Sequence, residues 1–204
     1  LDTIAWTVHV RDREGARSML ELQKWLFKLR NPHYEMKWPH WDILDPIADQ
    51  QVGVIKMNRS GHSRRTRWWN GSFEARSVPE DTLIFSSFSP IRLGRGRREI
   101  RDAGDELIGY FQRKWCSIKG GYWIYDSRNQ PLGEVRADWT RYEFSLLDSQ
   151  GREVGKLSRK LVGMYRGVLF DERDYLVTAG DAADKPEMKT LLLATVLAAS
   201  SLPT

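Results

Sequence analysis

One cysteine and four histidines leave this sequence with few residues that bind metals or act as nucleophiles. The single thiol, Cys116, excludes an internal disulfide and a zinc site made of cysteines alone. It stands beside Trp115, where burial in a strand explains it better than activation as a nucleophile. The histidines show no HExxH pattern or other metal-ligand spacing. They are His9, His33, His40 and His62.

The sequence also lacks the G-x-S-x-G turn of serine hydrolases and the G-x-x-x-x-G-K-[ST] loop that holds nucleotide phosphates. Residues 94–98 (GRGRR) are rich in glycine and arginine, but no strand-then-helix pattern surrounds them. A dinucleotide site is therefore not indicated. We expect a protein that is not an enzyme and that needs no cofactor.

No hydrophobic run is long enough to cross a bilayer as a helix. The most apolar stretch, residues 191–202 (LLLATVLAASSL), falls short of the roughly 20 residues required. Asp184 as an N-cap, Pro186 in the first turn and Glu187 three residues after the cap predict where this helix begins. Because the helix is apolar on every face, it needs protein or lipid all around it, and the interior of a closed sheet is the natural place.

The remaining composition is typical of one folded domain. The chain has 204 residues, 41% of them hydrophobic, which is enough to bury a sizeable core. Single cores grow to this size in barrels, so we expect one domain over residues 1–204. We expect it to be soluble and cytoplasmic, with peripheral binding to membranes.

An internal repeat predicts the sheet. In each copy apolar residues precede an aspartate, turn residues follow, and a glycine stands seven positions after the aspartate. The copies run from Asp102 to Gly109, from Asp126 to Gly133 and from Asp148 to Gly155, with a looser copy of eight positions from Asp45 to Gly53. The aspartate opens a turn, and the glycine early in the return strand is typical of a bulge or a close approach. Since the 22–24-residue period covers two strands, the repeat indicates an antiparallel meander.

Further alternating patterns bring the predicted number of strands to about a dozen, together with the hairpins of residues 121–160. They lie at about 4–10, 34–44, 52–57, 64–69, 82–88, 96–101, 107–114, 164–170 and 173–179. One further helix is predicted over residues 16–30, where five apolar side chains share one face. They are Met19, Leu22, Trp25, Leu26 and Leu29.

The order of these elements resembles the tubby-like superfamily, and most of all its branch of LURP-one-related proteins and phospholipid scramblases. The resemblance is carried by residues 155–160 (GKLSRK), by 170–177 (FDERDYLV), and by 186–189 (PEMK) leading into the apolar helix. It is clear over 96–202 and weaker over 1–95. It implies a mainly β fold, a closed antiparallel barrel of twelve strands that encloses the hydrophobic C-terminal helix, which agrees with the helix argument above.

The scramblase branch has acidic pairs before this helix, which makes four aspartates weak calcium candidates. They are Asp171, Asp174, Asp181 and Asp184. Arg173 stands where the family pattern has an aspartate. Calcium is bound by six to eight oxygen ligands, and a positively charged arginine within the carboxylate cluster disfavours its binding. We therefore assign no metal site and rank calcium-dependent scrambling low.

Positive charge is concentrated in one segment. Between Arg59 and Arg101 the sequence has ten arginines and four acidic residues. The planar guanidinium group of arginine binds phosphate well, and a tryptophan beside it favours a membrane interface. The predicted headgroup-binding residues are Arg64, Arg65, Arg67, Trp68, Trp69, Arg95, Arg97 and Arg98.

Other interpretations of this segment remain open: a strand with tryptophan inside and arginine outside, a protein partner, or nucleic acid. The sequence thus predicts a binding or tethering module for anionic phospholipid headgroups of the phosphoinositide type. A protein-interaction scaffold is the alternative, and scrambling and nucleic-acid binding are less favoured.

Overall fold

The computed structural model describes residues 19–29, 40–58, 72–89, 96–114, 120–140, 142–159, 163–165, 168–170 and 174–200. These residues form fourteen strands and a C-terminal helix, α1. The strands are β1 Lys24–Leu29, β2 Trp41–Asp45, β3 Gln50–Asn58, β4 Ser72–Ser77, β5 Leu83–Phe88, β6 Arg97–Asp102, β7 Leu107–Arg113, β8 Gly121–Asp126, β9 Pro131–Ala137, β10 Glu143–Asp148, β11 Glu153–Ser158, β12 Gly163–Tyr165, β13 Val168–Phe170 and β14 Tyr175–Ala179; α1 spans Pro186–Ala199.

Twelve of the strands close into an antiparallel barrel, which confirms the predicted fold class. Strands β1 to β11 pair in chain order, and β14 joins β11 to β1. Strands β12 and β13 pair only with each other, as a separate two-stranded sheet. Alternation explains the strand pattern: in β4, Phe73, Ala75 and Ser77 are buried, while Glu74 and Arg76 are not. Closure leaves no unpaired barrel edge.

Helix α1 fills the barrel. Its ten residues from Thr190 to Ala199 are all buried. The Tyr122 hydroxyl, which points inward from β8, donates a hydrogen bond to the Ala198 carbonyl at 3.1 Å. A helix that is apolar all round is stable in water only when enclosed, and here strands surround it.

The predicted start of α1 is corrected by one residue. The N-cap is Lys185, which is extended and forms no side-chain cap, so the prediction of Asp184 as the N-cap is wrong. The reason is Pro186 at the first helical position: it lacks an N–H, and it holds the residue before it in an extended conformation.

The predicted helix over residues 16–30 is also wrong. Among its described residues only 19–21 are helical, and Lys24–Leu29 is strand β1. Residues 25–27 are all fully buried. A short run that is apolar on both faces fits a buried strand as well as a helix, and here pairing with β2 and β14 decides the conformation.

One other strand prediction is corrected, one strand was missed, and two predictions are untested. The sequence analysis missed Ser72–Ser77, while the predicted strands at 4–10 and 64–69 lie outside the described residues. The predicted strand at 164–170 is two short strands, Gly163–Tyr165 and Val168–Phe170. These differences leave the number of barrel strands unchanged.

The repeat builds one end of the barrel, which we call the turn end. The Oδ1 atoms of Asp102, Asp126 and Asp148 each accept hydrogen bonds from the backbone N–H groups two and four residues later, at 2.7–2.9 Å. The residue three positions after each aspartate has a positive φ, 63° at Asp105 and 78° at Gly151. The predicted equivalence of these turns is therefore confirmed.

The repeat glycines follow bulges, as predicted. In each copy the strand register shifts by one, and the extra residue is the one just before the glycine. A Cβ on Gly133 would lie 2.0 Å from the Leu147 carbonyl oxygen, and one on Gly155 would lie 2.5 Å from that of Thr178. Only glycine allows the neighbouring backbone to come so close.

The two ends of the barrel differ in what they carry. Helix α1 enters at the turn end, where the Lys189 ammonium donates a hydrogen bond to the Leu20 carbonyl at 2.8 Å. At the opposite end, which we call the far end, the helix finishes near Tyr122. Because the strands alternate in direction, the connections β1–β2, β3–β4, β5–β6, β7–β8 and β9–β10 all leave and re-enter the barrel at the far end.

Candidate functional site

Arg97 lies on the outer wall at the start of β6, where it already has partners. Its guanidinium contacts the Glu99 carboxylate at 3.1 Å and lies 3.7 Å from the centre of the Tyr110 ring. Tyr110 in turn stacks on Tyr125, with ring centres 5.1 Å apart. Arg97 therefore stabilises an exterior cluster of β6, β7 and β8.

Arg98 points into the barrel. Its Nη1 donates a hydrogen bond to the Ser87 hydroxyl at 3.1 Å, and its guanidinium lies 5.6 Å from the centre of the Phe73 ring. Burial lowers the pKa of Arg98 because the charged form loses solvation. Neighbouring residues of a strand face opposite sides, so Arg97 and Arg98 do not form one binding surface.

The other six predicted headgroup residues lie outside the described residues. They are Arg64, Arg65, Arg67, Trp68, Trp69 and Arg95. The same is true of Cys116 and of three histidines; the fourth, His40, lies 3.6 Å from the Asp42 carboxylate.

The calcium candidates are separated along the chain and in space. Asp174 is buried and accepts a hydrogen bond from the Leu29 backbone N–H at 3.1 Å. Asp181 and Asp184 lie at the other end of β14, five strand residues away, and Asp171 lies outside the described residues. Within the described ranges no group of three histidine, cysteine or acidic residues is placed to hold a metal ion.

A cleft opens at the turn end beside the start of α1. Its volume is about 880 Å³. Its apolar lining includes Ile108, Leu132 and Met188, which also pack against the core. Acidic residues outnumber basic ones in the lining: Asp126, Asp148, Glu153, Asp181, Asp184 and Glu187 against Arg152 and Lys185. The cleft is therefore electrostatically unsuited to anions.

Two segments that join strands at the far end are basic in sequence. Residues 59–71, between β3 and β4, contain four arginines, residues 90–95 contain two, and neither segment has an acidic residue. Both segments lie outside the described residues, but the strands that flank them end here. Arg159, just after β11, adds a guanidinium 5.2 Å from the centre of the Tyr175 ring.

Exposed aromatic residues gather towards the same end, which the sequence analysis missed. Phe88 ends β5, Trp123 lies near the start of β8, and Trp139 and Tyr142 belong to the β9–β10 turn. Trp139 is the most exposed of them at 73%. An aromatic residue in a short turn cannot reach the core. Trp139 and Tyr142, between two predicted strands, were therefore the signal in the sequence that could have predicted exposed aromatic side chains. The only other large exposed hydrophobic residue that the structure describes is Ile47, at the turn end.

An ion cluster flanks these aromatics on the outer wall. The Glu134 carboxylate accepts hydrogen bonds from Lys114 and Arg136, and the Lys114 ammonium lies 3.9 Å from the centre of the Trp123 ring. Burial opposes the ionisation of Glu134, but these hydrogen bonds outweigh it and hold the pKa of its carboxyl below the usual range.

No helix among the described residues has both the length and the apolar character needed to span a membrane. No family model, no curated protein and no solved structure matches this chain.

Proposed function

We propose that this chain is a non-enzymatic module that binds anionic phospholipid headgroups through the far end of its barrel. The observation that carries the proposal is that the strands flanking two arginine-rich segments end at the same end of the barrel as exposed aromatic residues, while the cleft at the other end is acidic. We also propose membership of the tubby-like superfamily, in the LURP-one-related and scramblase branch. The closed barrel around a C-terminal helix supports that assignment.

The filled interior argues that ligands bind on the outside. Ten consecutive residues of α1 are buried within the strands, so the barrel cannot hold a lipid in its centre as ligand-carrying barrels do. A headgroup must then bind at an end of the barrel or on its outer wall. The turn end is unfavourable, because its cleft is rich in carboxylates that repel phosphate.

We propose that the far end combines the two features that bind proteins to anionic membranes. Each basic residue near such a surface contributes about 1 kcal/mol of attraction, and tryptophan favours the interface itself. Repulsion of the acidic turn end would add to this and orient the barrel. We propose that the protein acts in the cytoplasm, bound peripherally to a membrane; its single cysteine fits a reducing compartment.

The test is sedimentation with vesicles of neutral phosphatidylcholine, with and without phosphatidylserine or a phosphoinositide. We expect binding to the anionic vesicles only, weakening as salt shortens the screening length below about 8 Å. Replacing Arg64, Arg65 and Arg67 by glutamate should abolish binding and leave the Tm nearly unchanged, because exposed arginines contribute little to stability.

A matched control makes the same change in charge at the other end. Arg128, Lys156 and Lys185 are exposed there, and their replacement by glutamate should leave vesicle binding intact. Equal binding to neutral and anionic vesicles, or equal binding by both triple variants, would reject the headgroup proposal.

A protein-interaction scaffold is the second candidate, favoured by the cleft at the turn end. A lining of apolar and acidic residues suits a basic and partly apolar segment of another protein. Binding of that kind would be sensitive to changes at the turn end and insensitive to lipid.

A further inference from the structure

We propose that the cleft at the turn end binds a segment of another protein in which basic side chains flank an apolar one. This site goes beyond the headgroup function, which uses the far end of the barrel. It rests on the scaffold function, the second candidate above, and adds the residues that recognise the segment and the pattern that they select. A barrel held at a membrane by its far end directs this cleft away from the bilayer, where such a segment can reach it.

The cleft has an apolar surface that the barrel leaves partly uncovered. Ile108, Leu132, Ala182 and Met188 line it, and each is only half-buried although it packs against the core. The volume of about 880 Å³ is near the upper end of the roughly 300–1,000 Å³ that ligand sites occupy. The occupant is therefore larger than a single ion, and it gains free energy by bringing an apolar group into the cleft.

Three exposed carboxylates in the cleft are available to a ligand. None of them forms a hydrogen bond or an ion pair with another described residue, and they are Asp181, Asp184 and Glu187. The other three acidic residues of the lining already have partners. Asp126 and Asp148 accept hydrogen bonds from their own turns, and the Glu153 carboxylate lies 3.3 Å from the Lys156 ammonium.

The cations near the cleft do not cancel the three free carboxylates. The Arg152 Nε donates a hydrogen bond to the Asp148 Oδ2 at 2.8 Å, so this charge is already matched. Lys185 is the other basic residue of the lining, and the Lys189 ammonium is bound to the Leu20 carbonyl on the side of β1. The N-terminus of α1 adds only about half a positive charge.

The described residues of the turn end as a whole have the same sign. Its five hairpin turns and the connection from β14 to α1 hold twelve acidic residues and three basic ones, in the ranges 45–50, 77–83, 102–107, 126–131, 148–153 and 180–185. Arg76 and Arg101 on the flanking strands each contact two carboxylates. Lys24, Lys156 and Lys189 reduce the acidic excess without removing it. The field at this end therefore attracts a basic segment and repels an acidic one.

The order of the lining residues selects the pattern of the segment. Ala182 follows Asp181 and Met188 follows Glu187, so carboxylates adjoin the apolar surface at two places. A segment that places an apolar side chain between lysines or arginines complements both. A dication is a poorer occupant, because within the described ranges no three acidic, histidine or cysteine side chains are placed to hold one.

The test measures the binding of short fluorescent peptides to the full chain by anisotropy. One peptide alternates lysine with leucine, a second alternates lysine with serine, and a third alternates glutamate with leucine. We expect the lysine–leucine peptide to bind, the lysine–serine peptide to bind about tenfold more weakly because it brings no apolar group, and the glutamate–leucine peptide not to bind. Equal affinity of the two lysine peptides would overturn the apolar part of the site.

Neutralising the free carboxylates tests the site directly. The variant Asp181→Asn/Asp184→Asn/Glu187→Gln should raise the Kd of the lysine–leucine peptide about tenfold, because exposed ion pairs are lost.

The matched control removes the same charge from three exposed turn residues of the same end that do not line the cleft. It is Asp49→Asn/Asp81→Asn/Asp105→Asn. Asparagine tolerates the positive φ of these positions, so the control should stay folded. It should bind the peptide within about twofold of the wild type, since charges away from the cleft are screened. All variants should keep the wild-type Tm.

The alternatives give different results. Equal losses of affinity in the two triple variants would assign binding to the acidic end as a whole, so the cleft would be rejected and the scaffold function would stand. No saturable binding of the lysine–leucine peptide would reject both. A dimer of the wild type that the cleft variant dissociates, seen by size-exclusion chromatography, would make a second copy of this chain the occupant and overturn the proposal. Vesicle sedimentation is a separate measurement, and both triple variants should bind anionic vesicles like the wild type.

Discussion

A single carboxylate oxygen organises each repeat turn at the turn end. In the Asp126 turn, Oδ1 accepts hydrogen bonds from the N–H groups of Arg128 at 2.8 Å and Gln130 at 2.7 Å. The Asn129 residue between them has a φ of 62°, a conformation that asparagine tolerates better than most residues. One side chain thus satisfies two backbone donors that the turn leaves without strand partners.

Removing this acceptor should destabilise the fold. Asp126→Ala is expected to lower the free energy of unfolding by about 1–2 kcal/mol, because two backbone donors lose their partner. Asp126→Asn retains an acceptor oxygen and should cost less. Arg128→Ala, in the same turn, removes only an exposed side chain and should have almost no effect. Urea denaturation measures all three, and an alanine variant as stable as the wild type would contradict this role.

At the scale of elements, α1 acts as the core of the barrel. Its residues pack against inward-facing side chains of strands on several sides. Its first turn is attached, through Lys189, to the residues before β1. The sheet closes around it, so neither element buries its apolar surface without the other. Folding of the strands and burial of the helix are therefore expected to be one cooperative event.

A charge placed in α1 tests this dependence. Leu193 is fully buried, and Leu193→Asp should give insoluble or unfolded protein, because an unpaired buried carboxylate costs several kcal/mol, comparable with the total stability of a domain. A chain ending before Asp184 should behave in the same way. Lys185→Asp places the same carboxylate at the exposed N-cap and should remain folded. Circular dichroism and size-exclusion chromatography are the measurements, and a folded monomeric Leu193→Asp variant would contradict the architecture.

At the scale of the whole molecule, ionised carboxylates contribute to stability at both ends of the barrel. Burial opposes the ionisation of Asp138 and Asp148, but hydrogen bonds outweigh it and lower the pKa of each. For Asp138 the donors are Thr140, Glu143 and Tyr142, and for Asp148 they are Arg152 and Gln150. The pKa of Glu134 is also lowered, because hydrogen bonds from Lys114 and Arg136 outweigh the effect of burial.

The sign of the pH dependence follows from these shifts. A carboxyl whose pKa is lower in the folded state binds fewer protons there, so its contribution is complete above the unfolded value of about 4 and is lost as the pH falls through the folded pKa. We therefore expect the Tm to fall on acidification below about pH 4. The Asp138→Asn variant should show a smaller fall, whereas Glu80→Gln, an exposed carboxylate in the β4–β5 turn, should follow the wild-type curve. A Tm that rises on acidification would contradict this assignment.

Patterns of short range were enough to predict much of the fold. The spacing of Asp102, Asp126 and Asp148 predicted three equivalent turns, because an aspartate that binds its own turn needs no distant partner. The apolarity of residues 191–202 predicted an enclosed helix, because only burial satisfies such a surface. The position of each repeat glycine early in its return strand predicted a bulge, because a residue without a side chain allows the neighbouring backbone to come close.

Tertiary structure decided what depends on neighbours far along the chain. The apolar pattern of residues 24–29 also fitted a helix. They form a strand because their backbone groups pair with both β2 and β14, which closes the barrel. Arg97 and Arg98 are adjacent in sequence, yet one faces solvent and the other the core, because strand geometry and barrel curvature separate them. Phe88, Trp139 and Tyr142 came to one end in the same way: only the alternating directions of twelve strands bring residues so distant in sequence to the same end of the molecule.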